Sequence, residues 1–255
     1  YTCACNAGYA GDGFGCSSCG ADKYTEETGT KCSTCPNHTT SEAGSDELTD
    51  CRCVAGYTAP EDGDACSACE VGTYKTSTGT GACSGCPDNT ESVEGSSDLA
   101  SCVCSAGFTG NDGGPCNACV VGEFKATVGS GSCAACPLHT SSVGGSTELI
   151  DCKCVAGYTA ASDGVACRVC DTGTYTAATG AGECSTCPAG TSSASGSVKL
   201  ADCKCLAGYL GTLDGVACTA CVAGMFKRAV GTADCQFCPA NSESASGSAL
   251  CYCSA

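Results

Sequence analysis

The chain has no tryptophan, one methionine and 14 phenylalanines and tyrosines in 255 residues. So few large apolar side chains cannot fill an ordinary hydrophobic core. No apolar run approaches the ~18 residues that a membrane-spanning helix requires, and no leader peptide is visible. Helix-period patterning is absent throughout. Basic residues are scarce, 11 against 27 acidic ones, for a net charge of −16 with no block of like charge. That balance argues against nucleic acid and anionic membrane as partners. It suits the solvated surface of a secreted protein. The chain opens at Tyr1, inside a repeat and without methionine. That points to processing or to a window cut from a longer protein.

What the chain does have is 32 cysteines and 36 glycines. Cysteine at roughly an eighth of the residues exceeds the level that marks a disulfide scaffold. Units too small to bury enough apolar surface need covalent staples, each contributing ~2–4 kcal/mol by restricting the unfolded chain. So many regularly spaced thiols imply an oxidising location, outside the cell or on its surface.

The cysteines are periodic. The first cysteine of each C-x-C falls at positions 3, 51, 102, 152, 203 and 251, giving five periods of about 50 residues. Each period reads C-x-C-x(10–12)-C-x2-C-x(12–13)-C-x2-C, as in CRCVAGYTAPEDGDACSAC from Cys51. Asp-Gly recurs between the C-x-C and the next C-x-x-C, at Asp12, Asp62, Asp112, Asp163 and Asp214. It predicts a hairpin with a type I′ turn, in which both central residues take positive φ. A cysteine on each side could lock the two arms. The fold class expected is small disulfide-rich β, a linear tandem array of short hairpins with little or no helix.

Two aromatic positions recur, Tyr9, Tyr57, Phe108, Tyr158 and Tyr209 in the hairpin, and Tyr24, Tyr74, Phe124, Tyr175 and Phe226 after the C-x-x-C. With little else of any size available, both rings are expected to cover disulfides and build a small core, in preference to forming a ladder for ligands. A Ser-rich segment with Gly-Ser reads as a loop. The two histidines, His38 and His139, share one repeat position with Asn89, Gly190 and Asn241. Those residue types share a tolerance of positive φ, so the position reads as a turn. A Cys/His nucleophile pair is absent from three repeats of five, which removes it as a repeat-wide activity.

The pairs Cys16/Cys19 and Cys32/Cys35 have zinc-ribbon spacing, but four ligands would strand two thiols in every repeat. One carboxylate per Asp-Gly is too few for calcium without help from backbone carbonyls. No catalytic, cofactor or metal site is therefore assigned. Asn37-His38-Thr39 is an N-glycosylation sequon, and Thr76-Ser77-Thr78 could carry O-glycans.

The run C-x-x-G-x-[YF]-K…C-x-x-C-P-x-x-T-x-S-x-x-G-S…C-x-C-x-x-G-[YF] resembles the cysteine-rich, EGF-like module of ephrin-type receptors and the related GCC2/GCC3 repeats. The resemblance is fullest over Cys69–Cys116 and Cys119–Cys167. It implies modules at 19–68, 69–118, 119–169 and 170–220, with 1–18 the end of a preceding one and 221–255 an incomplete fifth. Six cysteines allow 15 connectivities. If the EGF-like order carries over, the first module pairs Cys19–Cys35, Cys32–Cys51 and Cys53–Cys66, and the second Cys69–Cys86, Cys83–Cys102 and Cys104–Cys116. The third then pairs Cys119–Cys136, Cys133–Cys152 and Cys154–Cys167, and the fourth Cys170–Cys187, Cys184–Cys203 and Cys205–Cys218. At the ends come Cys5–Cys16, Cys221–Cys238 and Cys235–Cys251, with Cys3 and Cys253 unpaired within the chain. Two-residue links between modules imply a stiff rod. The expected role is a non-enzymatic structural protein at the cell surface or outside it, self-assembling into a fibre or flagellar-hair-like filament. The rival is the stalk or ligand-binding region of a receptor or adhesion protein.

Overall fold

The computed structural model describes residues 4–28, 31–160, 166–180 and 182–253. The sequence readings placed on Cys3 and Asp163 lie outside the described residues. Among the described residues the chain forms 30 strands of two or three residues, paired into 15 two-stranded sheets. The only helical elements among them are four single 3₁₀ turns. This is a small disulfide-rich β protein built as a tandem array. It divides into two compact units, one holding residues 1–120, 125–134 and 144–147, the other 121–124, 135–143 and 148–255.

In the first unit the period from Cys69 shows the plan. Thr73–Tyr74 pairs antiparallel with Ser84–Gly85, Thr90–Glu91 with Val103–Cys104, and Phe108–Thr109 with Asn117–Ala118. Each hairpin is closed at its neck by its own cystine, Cys69–Cys83, Cys86–Cys102 and Cys104–Cys116, with Cα separations of 5.7, 5.7 and 5.6 Å. The rest of the first unit follows suit with Cys5–Cys16, Cys19–Cys32, Cys35–Cys51, Cys53–Cys66 and Cys119–Cys133. The second unit repeats the plan with Cys136–Cys152, Cys154–Cys167, Cys170–Cys184, Cys187–Cys203, Cys205–Cys218, Cys221–Cys235 and Cys238–Cys251. Cys253 is the one free cysteine among the described residues.

This corrects the EGF-like order for the first four cysteines of every module. The crossed pairs Cys19–Cys35 with Cys32–Cys51, Cys69–Cys86 with Cys83–Cys102, Cys119–Cys136 with Cys133–Cys152, Cys170–Cys187 with Cys184–Cys203, and Cys221–Cys238 with Cys235–Cys251 do not form. The order is sequential. The reason is the two-residue strand Ser84–Gly85, which sets Cys83 and Cys86 three extended steps apart, about 10 Å. A disulfide needs Cα atoms within about 7 Å, so Cys69 reaches only the cysteine at its own neck. Proteolysis of the non-reduced protein followed by mass spectrometry should recover Cys69–Cys83 and Cys86–Cys102 as separate linked peptides. A Cys69–Cys86 species would overturn this order.

The Asp-Gly turn also differs from expectation. Gly63, Gly113 and Gly215 have positive φ (89°, 73° and 82°), whereas the preceding aspartates do not. The turn is therefore not type I′. Tyr57–Thr58 and Ser67–Ala68 are joined by a longer loop, and its glycine rests on the 3₁₀ turn Leu48–Asp50. A Cβ on Gly63 would lie 3.1 Å from the Leu48 carbonyl oxygen, and on Gly215 2.8 Å from that of Leu200. The sequence signal for these 3₁₀ turns is the leucine that stands three residues before Cys51, Cys102, Cys152 and Cys203.

The core is sulfur. Every fully buried apolar residue among those described is a cysteine except Ala59, and Cys51, Cys102 and Cys203 are 0% exposed. None of the ten repeat aromatics is fully buried, and Tyr9 is 45% exposed. The rings are therefore not the closed core they were expected to build. The Ser-rich segment is no loose loop either. Ser41, Ser92, Ser142, Ser193 and Ser244 are buried and donate to the carbonyls of Lys23, Thr73, Glu123, Thr174 and Met225. A hydroxyl satisfied by a backbone carbonyl can be buried at little cost, so serine serves where other proteins use leucine.

Candidate functional site

The feature that departs from pure scaffolding is the joint between consecutive hairpins. In the first unit, Gly56 N donates to Lys75 O at 2.8 Å, Gly79 N to Cys53 O at 2.8 Å and Cys69 N to Gly56 O at 2.8 Å. These bonds cross the 68/69 boundary, and backbone pairing continues from one hairpin to the next. Gly56 is required there, because its φ is +83° and a Cβ would lie 2.3 Å from the Gly95 oxygen. In the second unit Gly157 bonds Thr176 O and Gly180 bonds Cys154 O, while Gly208 bonds Lys227 O and Gly231 bonds Cys205 O.

Each joint is plugged by the residue that follows the second aromatic. At three joints it is a lysine, Lys75, Lys125 or Lys227, 3%, 4% and 2% exposed; at two it is Thr25 or Thr176. The strand places this residue on the opposite face from the preceding ring, toward the core. The Lys75 ammonium donates to Tyr57 O at 2.7 Å and to Gly79 O. Lys125 donates to Phe108 O at 2.8 Å and Gly129 O at 2.6 Å. Lys227 donates to Tyr209 O at 2.7 Å and to Gly231 O. Each ammonium thus ties the carbonyl of one hairpin to the loop of the next.

At two of the three lysine joints the Asp-Gly aspartate supplies the counter-charge. Asp62 Oδ1 and Asp214 Oδ1 are buried without a hydrogen-bond donor, and a Cβ on Gly79 would lie 3.7 Å from Asp62 Oδ1. Burial pulls the Lys75 ammonium below the usual lysine value, and the charge of Asp62 opposes that shift; Lys227 and Asp214 repeat the arrangement. Asp12, in the joint with threonine, instead accepts from the amides of Phe14 and Gly15, which lower its carboxyl below the usual range. The sequence displayed the alternation Tyr-Lys, Phe-Lys and Tyr-Thr, but periodicity alone does not say that a lysine is buried.

The shared histidine position takes positive φ in all five repeats: His38 62°, Asn89 61°, His139 61°, Gly190 70° and Asn241 61°. The turn reading therefore holds there. His38 stacks on Tyr57 and His139 on Tyr158, with ring centroids 4.1 Å apart in both. Asn37 is exposed beside this turn, and Thr39 Oγ1 donates to Pro36 O. Thr76, Ser77 and Thr78 are exposed as well. Among the described residues no group of three or more His, Cys, Asp and Glu is placed to hold a metal ion, and no helix is long and apolar enough to cross a membrane.

A family model described as tyrosine-protein kinase ephrin type A/B receptor-like matches residues 56–102, 107–152 and 157–203, together more than half of the chain. No curated protein matches the chain.

Proposed function

The chain belongs to the tyrosine-protein kinase ephrin type A/B receptor-like family, and from that membership we propose a non-enzymatic, extracellular structural protein, a stiff disulfide-stapled repeat rod that assembles into a surface fibre or filament. The observation that carries this reading is the joint. Backbone bonds cross the joints, three of which are also tied by a buried lysine, and this leaves little freedom for a hinge. The abundance of cystines supports a location outside the cell or on its surface. Self-assembly with copies of itself or sister repeats is the proposed partnership. Electron microscopy of the purified protein should show regular fibres. Uniform monomeric particles at every concentration would refute the assembly.

The family match favours a second reading, the stalk or ligand-binding region of a cell-surface receptor or adhesion protein. It predicts a protein that stays monomeric where the first predicts polymers. Asn37 is proposed to carry an N-glycan, since its side chain is exposed beside a turn. Treatment of the native protein with an N-glycosidase should lower the mass of the peptide containing Asn37; an unchanged, unmodified peptide would contradict it.

A further inference from the structure

Exposed valines and exposed charge are distributed unevenly along the repeats. In the period from Cys69, the amide of Gly72 donates to the carbonyl of Ser92 at 3.0 Å and joins the two segments that carry Val71 and Val93. These valines are 71% and 76% exposed. The next period repeats the pair as Val121 and Val143, 72% and 76% exposed, on segments joined by the bond from Gly122 to Ser142. At the same bond the other periods carry Ala21 with Glu42, Thr172 with Ala194, and Ala223 with Ala245. Two exposed valines at this bond are thus confined to two periods of five.

The period from Cys69 has one basic residue, Lys75, and exposes no cation, whereas the period from Cys119 exposes Lys153 and Arg168. Between Arg52 and Lys153 the chain carries 12 carboxylates and only two basic residues, Lys75 and Lys125. Both of these are buried and spent on carbonyl oxygens. Beside the Val71–Val93 segments stand the exposed carboxylates of Glu70, Glu91 and Glu94. An apolar pair with three exposed carboxylates next to it along the chain is complementary to a chain that offers both an aliphatic side chain and a positive one. A second copy of this protein, at net charge −16, brings like charge to the same place.

We propose that the Val71–Val93 face of the second module docks a cationic, aliphatic-bearing segment of a different protein. The apolar pair supplies the contact, and the carboxylates select the partner and speed its approach. This does not rest on the fibre reading, since a fibre subunit and a receptor stalk can each carry such a face.

The test uses the full chain and a labelled synthetic peptide of alternating lysine and valine, followed by fluorescence anisotropy in about 50 mM and about 500 mM salt, where screening differs several-fold. The peptide should bind at low salt and weaken at high salt. The variant Val71→Ser/Val93→Ser should bind about tenfold more weakly, and Glu70→Lys/Glu94→Lys should lose binding. Ala223→Ser/Ala245→Ser, at the equivalent place in the last period, should bind as the parent does. All six positions are exposed, and unchanged thermal midpoints and 15 intact cystines would show that the variants fold. Three results would each overturn the proposal. These are no binding by the parent, equal binding of a lysine–serine peptide regardless of the valines, and a self-associating parent that Val71→Ser/Val93→Ser converts to monomer.

Discussion

Replacing Cys86 and Cys102 together by alanine should unfold the hairpin they close and loosen the ones on either side. Cys102 is wholly buried, and the bridge spans a sequence separation of 16. Opening a loop of that size releases about 3 kcal/mol of conformational restraint in the unfolded chain. In a protein with a large apolar core this would be one contribution among many. Here the buried apolar residues are almost all cysteines, so nothing of comparable size remains to hold Thr90–Glu91 against Val103–Cys104. Hydrogen exchange read on residues 86–102 should lose most of its protection, with a smaller loss at Cys69–Cys83 through the bond from Gly95 N to Cys69 O. Protection equal to that of the parent protein would mean that something other than the cystine holds the hairpin. Full reduction should have the same effect at every hairpin at once.

Lys75→Met should lower stability by about 3 kcal/mol, the cost of leaving charged-group hydrogen bonds unmade inside a protein. Methionine keeps the aliphatic stem and the volume, so packing alone predicts a small change. The loss comes from Tyr57 O and Gly79 O, which no longer have a donor, and from Asp62, whose buried oxygen loses its compensating charge. Asp62→Asn in the same chain should recover part of the loss, because it removes the charge behind the buried Oδ1, although Oδ2 keeps Arg52 Nε at 3.8 Å. A double-mutant cycle in urea would read this coupling as a departure from additivity. Lys75→Thr should cost less than Lys75→Met, since threonine fills the same position in two joints of this chain. A Lys75→Met variant within about 0.5 kcal/mol of the parent would show that the lysine plugs the joint by bulk and not by charge.

The two expectations are connected. The cystine holds the neck of each hairpin, and the lysine holds one hairpin to its successor. Removing a cystine should act locally, whereas removing a lysine should act on the step between hairpins. Exchange protection compared across the two variants can separate these effects.

The sequence by itself determined the architecture in outline. Thirty-two cysteines at a fixed period, with almost no large apolar residues, mark a disulfide scaffold, and the structure is built as one, although the rings expected in its core are not fully buried. The positive-φ turn at His38, Asn89, His139, Gly190 and Asn241 was legible because residue types that share one tolerance stood in one column. Cys104–Cys116 and its counterparts were legible because each flanks a single hairpin. The sequential order of the other bridges was not. Cys83 and Cys86 are equivalent as letters and differ only in which end of Ser84–Gly85 they occupy. Nor could the pattern show that Lys75 is buried, that Asp62 faces it, or that the glycine of Asp-Gly rests against a leucine carbonyl. Those contacts join residues from successive hairpins, and spacing along a chain carries no information about which polar groups meet when two hairpins close on each other. Local periodicity set the parts, and only the tertiary structure decided how one part is fastened to the next.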